Sequence, residues 1–416
     1  MPLRVIFVCV VYPPESEPSA VMASELVREM VAAGHTVTVI CPFPNRPMGA
    51  VYEGFSRRLW KWNLDGPGRV VRVWTWLVGR SRSTVNRVLE GISFGLSAAI
   101  GVLVTRRPDV VLMETWPIFG QVPVLVAARL RGLPVVNYIK DLYPEAAEAA
   151  RLIRSGGRIS RSVRAIDRWV QERSRRNIVI SEGTRAHLMA SRGIAAARLV
   201  VRRDWLDLSA IRPVEGKRHW RAEVGIGEGR FVCMFAGTLG HASGVGVLVE
   251  VAEILRHRAD IVLVVIGEGI EKNRMRRDIE LRGLSNLLML PFQPRERVAE
   301  VQSSADVLML TSTRDMGTSS VPSKLITYLA VGRPVLCAAS REGELAKVVT
   351  EECLGVVAEP GDAASVAAGI LSLKSMGVGM LSEMGRRARE LAMARYSLDS
   401  AVLEFEAILV AATTRE

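Results

Sequence analysis

The chain has 416 residues, 49% of them hydrophobic and 24% charged. That balance excludes a disordered or fibrous protein, and the length exceeds what one core normally holds, so two domains of roughly 200 residues each are expected. The formal net charge of +12 sits in one half: residues 1–205 carry 30 Lys and Arg against 16 Asp and Glu, whereas residues 206–416 carry 25 against 27.

The opening residues, MPLRVIFVCVVYPP, have one basic group and a brief apolar run, which reads as a buried strand over 3–11 rather than a signal peptide. A helix over 20–33 follows, stopped by Gly34, and then a strand over 36–41. Further buried strands are expected at 109–113, 134–139 and 177–180, each joined to the next through a helical stretch. Continuous apolar runs between helices indicate a parallel sheet covered on both faces. The longest nearly uncharged run, 91–105, is fifteen residues long. That is short of the roughly 20 needed to span a bilayer, so no membrane-crossing helix is expected.

Two segments concentrate the positive charge. Residues 55–87 hold eight basic groups, one acid (Asp65) and Trp60, Trp62, Trp74 and Trp76; residues 151–176 hold nine basic groups against Asp167 and Glu172, with Arg154, Arg158, Arg161 and Arg168 on one helical face. Three readings stand side by side: a solvated Arg face, an anionic membrane surface with Trp at the headgroups, and nucleic acid. The Trp pairs favour the membrane, and no nucleic-acid module is visible. Five cysteines far apart, with no CxxC pair, suit a reducing cytosol and no metal cluster. No His spacing suggests a metal site, so no metal or other cofactor is expected.

The pattern loosens over 201–213, which fits a linker. A second alternating series then runs through strands at 231–236, 261–266, 287–290 and 307–311. The last stretch, 397–412, is an amphipathic helix placed to cross back onto the first domain. The expected architecture is α/β, with two doubly wound Rossmann-like domains, 1–205 and 206–395, a cleft between them where ligands bind, and a C-terminal crossover helix over 396–416.

Candidate site residues gather in the second domain. In RDMGTSSVPSKLITYLAVGRPVLCA, Ser319 and Ser320 lead through Pro322 into Ser323 and Lys324, which open a helix that Gly332 stops. Free N–H groups at a helix start, with a lysine beside them, bind phosphate. The turns FAGTLGHASG (Gly237, Thr238, Gly240) and VIGEGIE (Gly267, Glu268) follow strands and leave backbone amides free for an anion. Each alone is as well read as a tight turn, but together with Lys324 they describe a nucleotide diphosphate site.

These residues carry a resemblance. FAGTLG, VVIGEG, ADVLML and VPSKLITYLAVGRPV in the second half, with YPPESEPSAVMASELVREMVAAGHTVTVI and VVNYIKDLYPEAAEAARLI in the first, resemble the retaining, metal-independent GT-B glycosyltransferases of family 4, especially bacterial O-antigen and capsule amino-sugar transferases. The resemblance implies a nucleotide sugar, UDP-linked, with its base near Phe292, its diphosphate on Gly237, Thr238, Ser323 and Lys324, and an acceptor entering near Glu15, Lys140, Asp141 and Glu145. It further implies transfer, an N-acetylamino sugar among the candidates, to a polyprenyl-diphosphate-linked saccharide on the cytoplasmic face of the membrane, where the chain is expected to be peripheral. Lys324 then stabilises the leaving diphosphate, while Asp141 and Lys140 position hydroxyls. The family's paired carboxylates are replaced here by Ser319 and Thr327. That substitution keeps a second reading open, a catalytically weak GT-B protein serving as a binding partner of another transferase. An epimerase of the same architecture is a third. The residue-level alternatives are a helix N-cap for Asp141, an early-helix charge for Glu145 and an exposed loop carboxylate for Glu15.

Overall fold

The computed structural model describes residues 2–414 except 16, 47–48, 56–59, 64–67, 78–83, 116–117, 150–152, 215–216 and 314–322. Residues 1–203 together with 398–416 form one compact unit and residues 204–397 the other.

The first unit holds strands β1 (Arg4–Val8), β2 (Thr36–Pro42), β3 (Trp60–Asn63), β4 (Arg69–Val73), β5 (Val110–Glu114), β6 (Val135–Ile139), β7 (Arg176–Val179) and β8 (Leu199–Val201). They lie in the order β3-β4-β2-β1-β5-β6-β7-β8, every pair parallel except β3 on β4. Its helices are α1 (Pro18–Ala32), α2 (Thr84–Val104), α3 (Ile118–Leu130), α4 (Glu145–Ala149), α5 (Arg158–Arg173) and α6 (Glu182–Arg192). Phe94 and Ala98 of α2, Val124 and Leu125 of α3, and Val170 of α5 share one core with Ile6, Ile40 and Val111, so these three helices form a layer on one face of the sheet. Within it α2 and α3 meet backbone to backbone: a Cβ on Gly95 would lie 2.4 Å from the Gly120 Cα.

The expectation that no segment is long and apolar enough to cross a membrane is corrected by α2. The helix extends the apolar run back through Arg87 and Glu90, and Val85–Val104 meets that test by length and composition. Its inner side nevertheless belongs to the domain core.

The second unit holds β9 (Phe231–Ala236), β10 (Ile261–Ile266), β11 (Leu287–Leu290), β12 (Val307–Thr311), β13 (Val335–Ala338) and β14 (Gly355–Ala358), all parallel in the order β11-β10-β9-β12-β13-β14. Its helices are α7 (Lys217–Glu223), α8 (Val247–Ile254), α9 (Lys272–Arg282), α10 (Val298–Ser303), α11 (Ser323–Ala330), α12 (Glu344–Glu351), α13 (Ala363–Ser375) and α14 (Gly377–Arg395). Successive side chains of a strand point to opposite faces. Val232 and Met234 therefore pack with Leu325 and Leu329 of α11, while Cys233 and Phe235 pack with Leu248 of α8 and Ile370 of α13.

The final helix, α15 (Leu398–Thr413), belongs to the first unit. Phe405 meets Tyr138 of β6 edge-on at 5.2 Å, and Glu404 and Glu406 reach Arg202 and His35. In each sheet the chain first fills one side of its opening strand and then restarts on the other side. The switch points fall beside β1 and β5 in the first unit and beside β9 and β12 in the second, and ligands of open α/β sheets bind at the carboxyl ends of such strands.

Candidate active site

At the carboxyl end of β9, three strand-end turns interlock through their glycines. A Cβ on Gly267 would sit 1.9 Å from the Gly237 carbonyl oxygen, one on Gly269 2.3 Å from the Leu239 oxygen, and one on Gly244 2.6 Å from the Ser312 carbonyl group. Only residues without side chains permit these backbones to approach so closely. Hydrogen bonds fix the arrangement: Gly237 N–H donates to Ile266 O at 2.8 Å, and Leu239 N–H to Glu268 O at 2.9 Å.

Helix α11 enters the same place. The Tyr328 hydroxyl donates to the Ala236 carbonyl (3.2 Å) and accepts from the Ala236 N–H (2.9 Å), pinning the helix to the end of β9. One turn earlier, Lys324 runs beneath the Gly237 turn, where a Cβ would lie 2.1 Å from the lysine Cε; its Nζ is 4.2 Å from the centre of the Phe235 ring. Burial lowers its pKa to about 8. Among the described residues no carboxylate pairs with it. A half-buried ammonium with no carboxylate partner among the described residues, set at a strand-end turn, is chemically suited to take an anion.

The other donor-site candidates divide. Thr238 is exposed beside the turn and Gly240 partly so, and Ser323 is the first residue of α11. Glu268 gives its carboxylate to Lys272 at 2.5 Å, and its backbone carbonyl serves the turn. The Thr327 hydroxyl folds back to donate to the Lys324 carbonyl at 2.8 Å, as short hydroxyl side chains do in helices. Phe292 follows β11, half exposed. Ser319 and Ser320 lie outside the described residues.

The first unit has its own polar cavity, ≈ 270 Å³, at the switch point of its sheet. Lys140 and Asp141, which follow β6, line it with Glu114, Thr115, Arg46 and Glu17. Lys140 Nζ pairs with Glu114 Oε1 at 2.9 Å, and its backbone N–H donates to Thr115 Oγ1 at 3.2 Å. Asp141 is exposed and α4 begins only at Glu145, so the N-cap reading of Asp141 is corrected: three residues separate it from the helix. Glu17 stands at the N-cap of α1 but makes no capping bond, and its buried Oε2 has no hydrogen-bond partner among the described residues.

Two acceptor-site candidates have other tasks. Glu15 is buried, 2% exposed, with Oε2 accepting from Tyr12 N–H and Oε1 from Asn45 and Arg46 N–H at 2.9 and 3.0 Å. It is a strut between two loops, neither an exposed carboxylate nor part of the cavity lining. Glu145 is clasped by the fully buried Arg192, with Nη2 at 2.7 Å and Nη1 at 2.9 Å, and also meets His187. Burial pushes its carboxyl upward, but the Arg192 hydrogen bonds outweigh that and hold it at about 2. Arg192 also donates to Asp167 and to the Tyr143 carbonyl, so it anchors the Asp141–Glu145 segment to α6. His241 pairs with Glu271 at 2.6 Å.

Sequence reasoning missed Glu17 and Glu114. The available signal for Glu114 was a carboxylate ending an otherwise apolar strand, VVLME, where a buried charge demands a partner such as Lys140. Glu17 had none, because an acidic residue before a helix is ordinarily a cap.

Two doubly wound parallel units, one with an anion-ready turn under a helix start and the other with a paired Lys–Glu cavity, define a class: the two-domain sugar-transferring enzymes of GT-B architecture. Sequence profiles agree along most of the chain, that of glycosyl transferases group 1 over residues 216–391 and that of a glycosyl transferase 4-like domain over 19–205. WcaI of Escherichia coli (strain K12), named for glycosyl transfer in colanic acid biosynthesis, is 24% identical over 379 residues, covering 88% of this chain and 91% of WcaI. A glycosyltransferase from Rickettsia africae ESF-5 superposes with a TM-score of 0.74 at 14% identity over the whole of both chains. Anabaena Alr3699/HepE, crystallised with UDP and glucose, does so with 0.69 at 13% identity, covering 98% of this chain and 100% of that one. The chain belongs to the GT-B glycosyltransferases of family 4 and is a transferase.

Proposed function

We propose that the enzyme moves a sugar from a UDP-linked donor, with retention of anomeric configuration and without a metal, to a lipid-linked saccharide in cell-surface polysaccharide synthesis at the cytoplasmic membrane face. The observation that carries this reading is Lys324, half-buried beneath the Gly237 turn with no acidic partner among the described residues. A diphosphate there supplies the missing counter-charge. The bound UDP and glucose of the Anabaena protein, and the polysaccharide named for WcaI, are consistent with it.

In this mechanism the bond from the anomeric carbon to the diphosphate oxygen breaks, and an acceptor oxygen bonds to the same face of that carbon. The acceptor proton passes to the departing diphosphate, so no protein nucleophile is required. Stabilising the charge that develops on the leaving group is the main catalytic task, and Lys324 with the turn amides performs it. Lys140, aligned by Glu114, and Asp141 orient sugar and acceptor hydroxyls.

Calorimetry and donor hydrolysis across a panel of nucleotide sugars test the reading. At least one UDP-sugar binds and is slowly hydrolysed by the unaltered chain, and Lys324→Ala abolishes both. If no nucleotide sugar binds the unaltered chain, the donor assignment fails, and binding without turnover favours the partner-protein reading, in which Thr327 replaces the family's ribose-binding carboxylate.

A further inference from the structure

Helix α2 inverts the usual surface pattern. Its exposed side chains recur at Leu89, Ile92, Leu96, Ile100 and Leu103, the spacing of one helical face, and Arg87 is the sole charged residue among the exposed positions described on the helix. Leu96 is 55% exposed, while Phe94, Ala98 and Val102 on the other side are in the core. Helix α3, packed alongside, adds Val126 and Leu130, the latter 76% exposed. Trp76, its side chain exposed, is tied to α2 by its backbone N–H, which donates to Ser93 Oγ at 2.9 Å. The third helix of the layer, α5, presents Arg158, Arg161 and Arg168 to solvent. Single exposed apolar side chains need no explanation, but a stripe of helix length does.

The surrounding charge identifies what covers it. A second copy would set two halves of net positive charge against each other, whereas an anionic bilayer supplies the opposite sign. We propose that α2 lies in the plane of an anionic membrane, its stripe among the acyl chains, Trp76 at the headgroup level and the α5 arginines on lipid phosphates. The helix rests in the interface and does not span, because its opposite side is committed to the domain core. This deepens the membrane-face reading above, and it is testable without donor or acceptor.

Flotation of the whole chain with phosphatidylglycerol-containing vesicles is the test. Charge alone is screened at ~1 M salt, where the Debye length is about 3 Å, so retention there reports apolar insertion. The unaltered chain floats at both low and high salt. The double variant Ile92→Glu/Leu96→Glu, altered only at exposed positions, loses at least ~tenfold in high-salt partitioning, since two large apolar side chains leave the bilayer, while UDP binding is unchanged. In the unaltered chain, a carbene label carried on a lipid acyl chain tags the Val85–Val104 peptide. Release of the unaltered chain at high salt, tagging elsewhere, or absence of flotation with concentration-dependent dimerisation each overturns the proposal, the last in favour of a second copy.

Discussion

Burial with no counter-charge among the described residues gives Lys324 two opposed roles. With its pKa near 8 against an ordinary 10.5, the unfolded chain holds this proton more tightly than the folded one. The lysine therefore destabilises the fold fully below about pH 8, and stability from this group rises as pH climbs from there toward 10.5. Allowing for water's access to the ammonium, the cost is on the order of 1–2 kcal/mol. Lys324→Met is expected to raise the thermal midpoint near neutral pH while abolishing UDP binding, a combination that calorimetry reads directly. In the unaltered chain UDP affinity is level below about pH 8 and falls above it, and binding near pH 8.5 takes up a proton, seen as a dependence of the measured heat on buffer ionisation enthalpy. An affinity that rises with pH over this range sinks the role given to Lys324. The position of this lysine was legible because Pro-Ser-Lys before an apolar-periodic run marks a helix start. The tasks of Glu15 and Glu145 were not legible, since their partners, the Asn45 and Arg46 amides and Arg192, are 30 or more residues away along the chain.

Strands with continuous apolar runs, such as β1, β5, β9 and β10, fall within a few residues of their sequence-based bounds. β4 was overlooked because RVVRV carries Arg72, which reads as a surface residue yet is 3% exposed and donates to the Pro42 carbonyl at 3.0 Å. β14, GVVA, opens on Gly355, which reads as a turn rather than a strand residue, whereas the equally short β11, LLML, is apolar throughout. The glycine turns offer a contrast between neighbouring elements. An alanine Cβ at Gly267 strikes the Gly237 carbonyl, fixed backbone, whereas one at Gly237 strikes the flexible Lys324 side chain. Gly267→Ala is thus expected to cost ~3 kcal/mol or more of stability, and Gly237→Ala less stability but most of the UDP affinity, as the ammonium is displaced. Denaturant unfolding beside UDP titration separates them; equal stability losses would contradict the packing described. The tie between α4 and α6 is as sharply defined. Arg192→Met leaves Glu145 and Asp167 without their shared partner, and removing one side of a buried ion pair costs about 3–5 kcal/mol, measured as a lowered denaturation midpoint.

At the scale of the whole chain, the restart of strand–helix alternation at Phe231 made two domains legible, and the apolar positions over 397–412 marked a late helix. The return of that helix makes the first unit depend on the end of the chain. α15 buries Phe405, Ile408 and Leu409 in that unit. Each large side chain contributes about 1.5–3 kcal/mol when buried, so removing the helix takes away roughly 4.5–9 kcal/mol from these three, a large part of the about 5–15 kcal/mol that typically holds a domain together. Among the described residues, the second unit draws its cores from positions 206–396. A chain ending at Ser397 is therefore expected to lose the unfolding transition of the first unit, expose apolar surface to a hydrophobic dye and remain prone to proteolysis there. The fragment 204–397 is expected to fold and retain UDP binding. Scanning calorimetry of the truncated chain with limited proteolysis decides the matter. Two intact transitions after removal of α15 would show that the first unit is self-sufficient, whereas failure of the 204–397 fragment to fold would show that the second unit depends on the first.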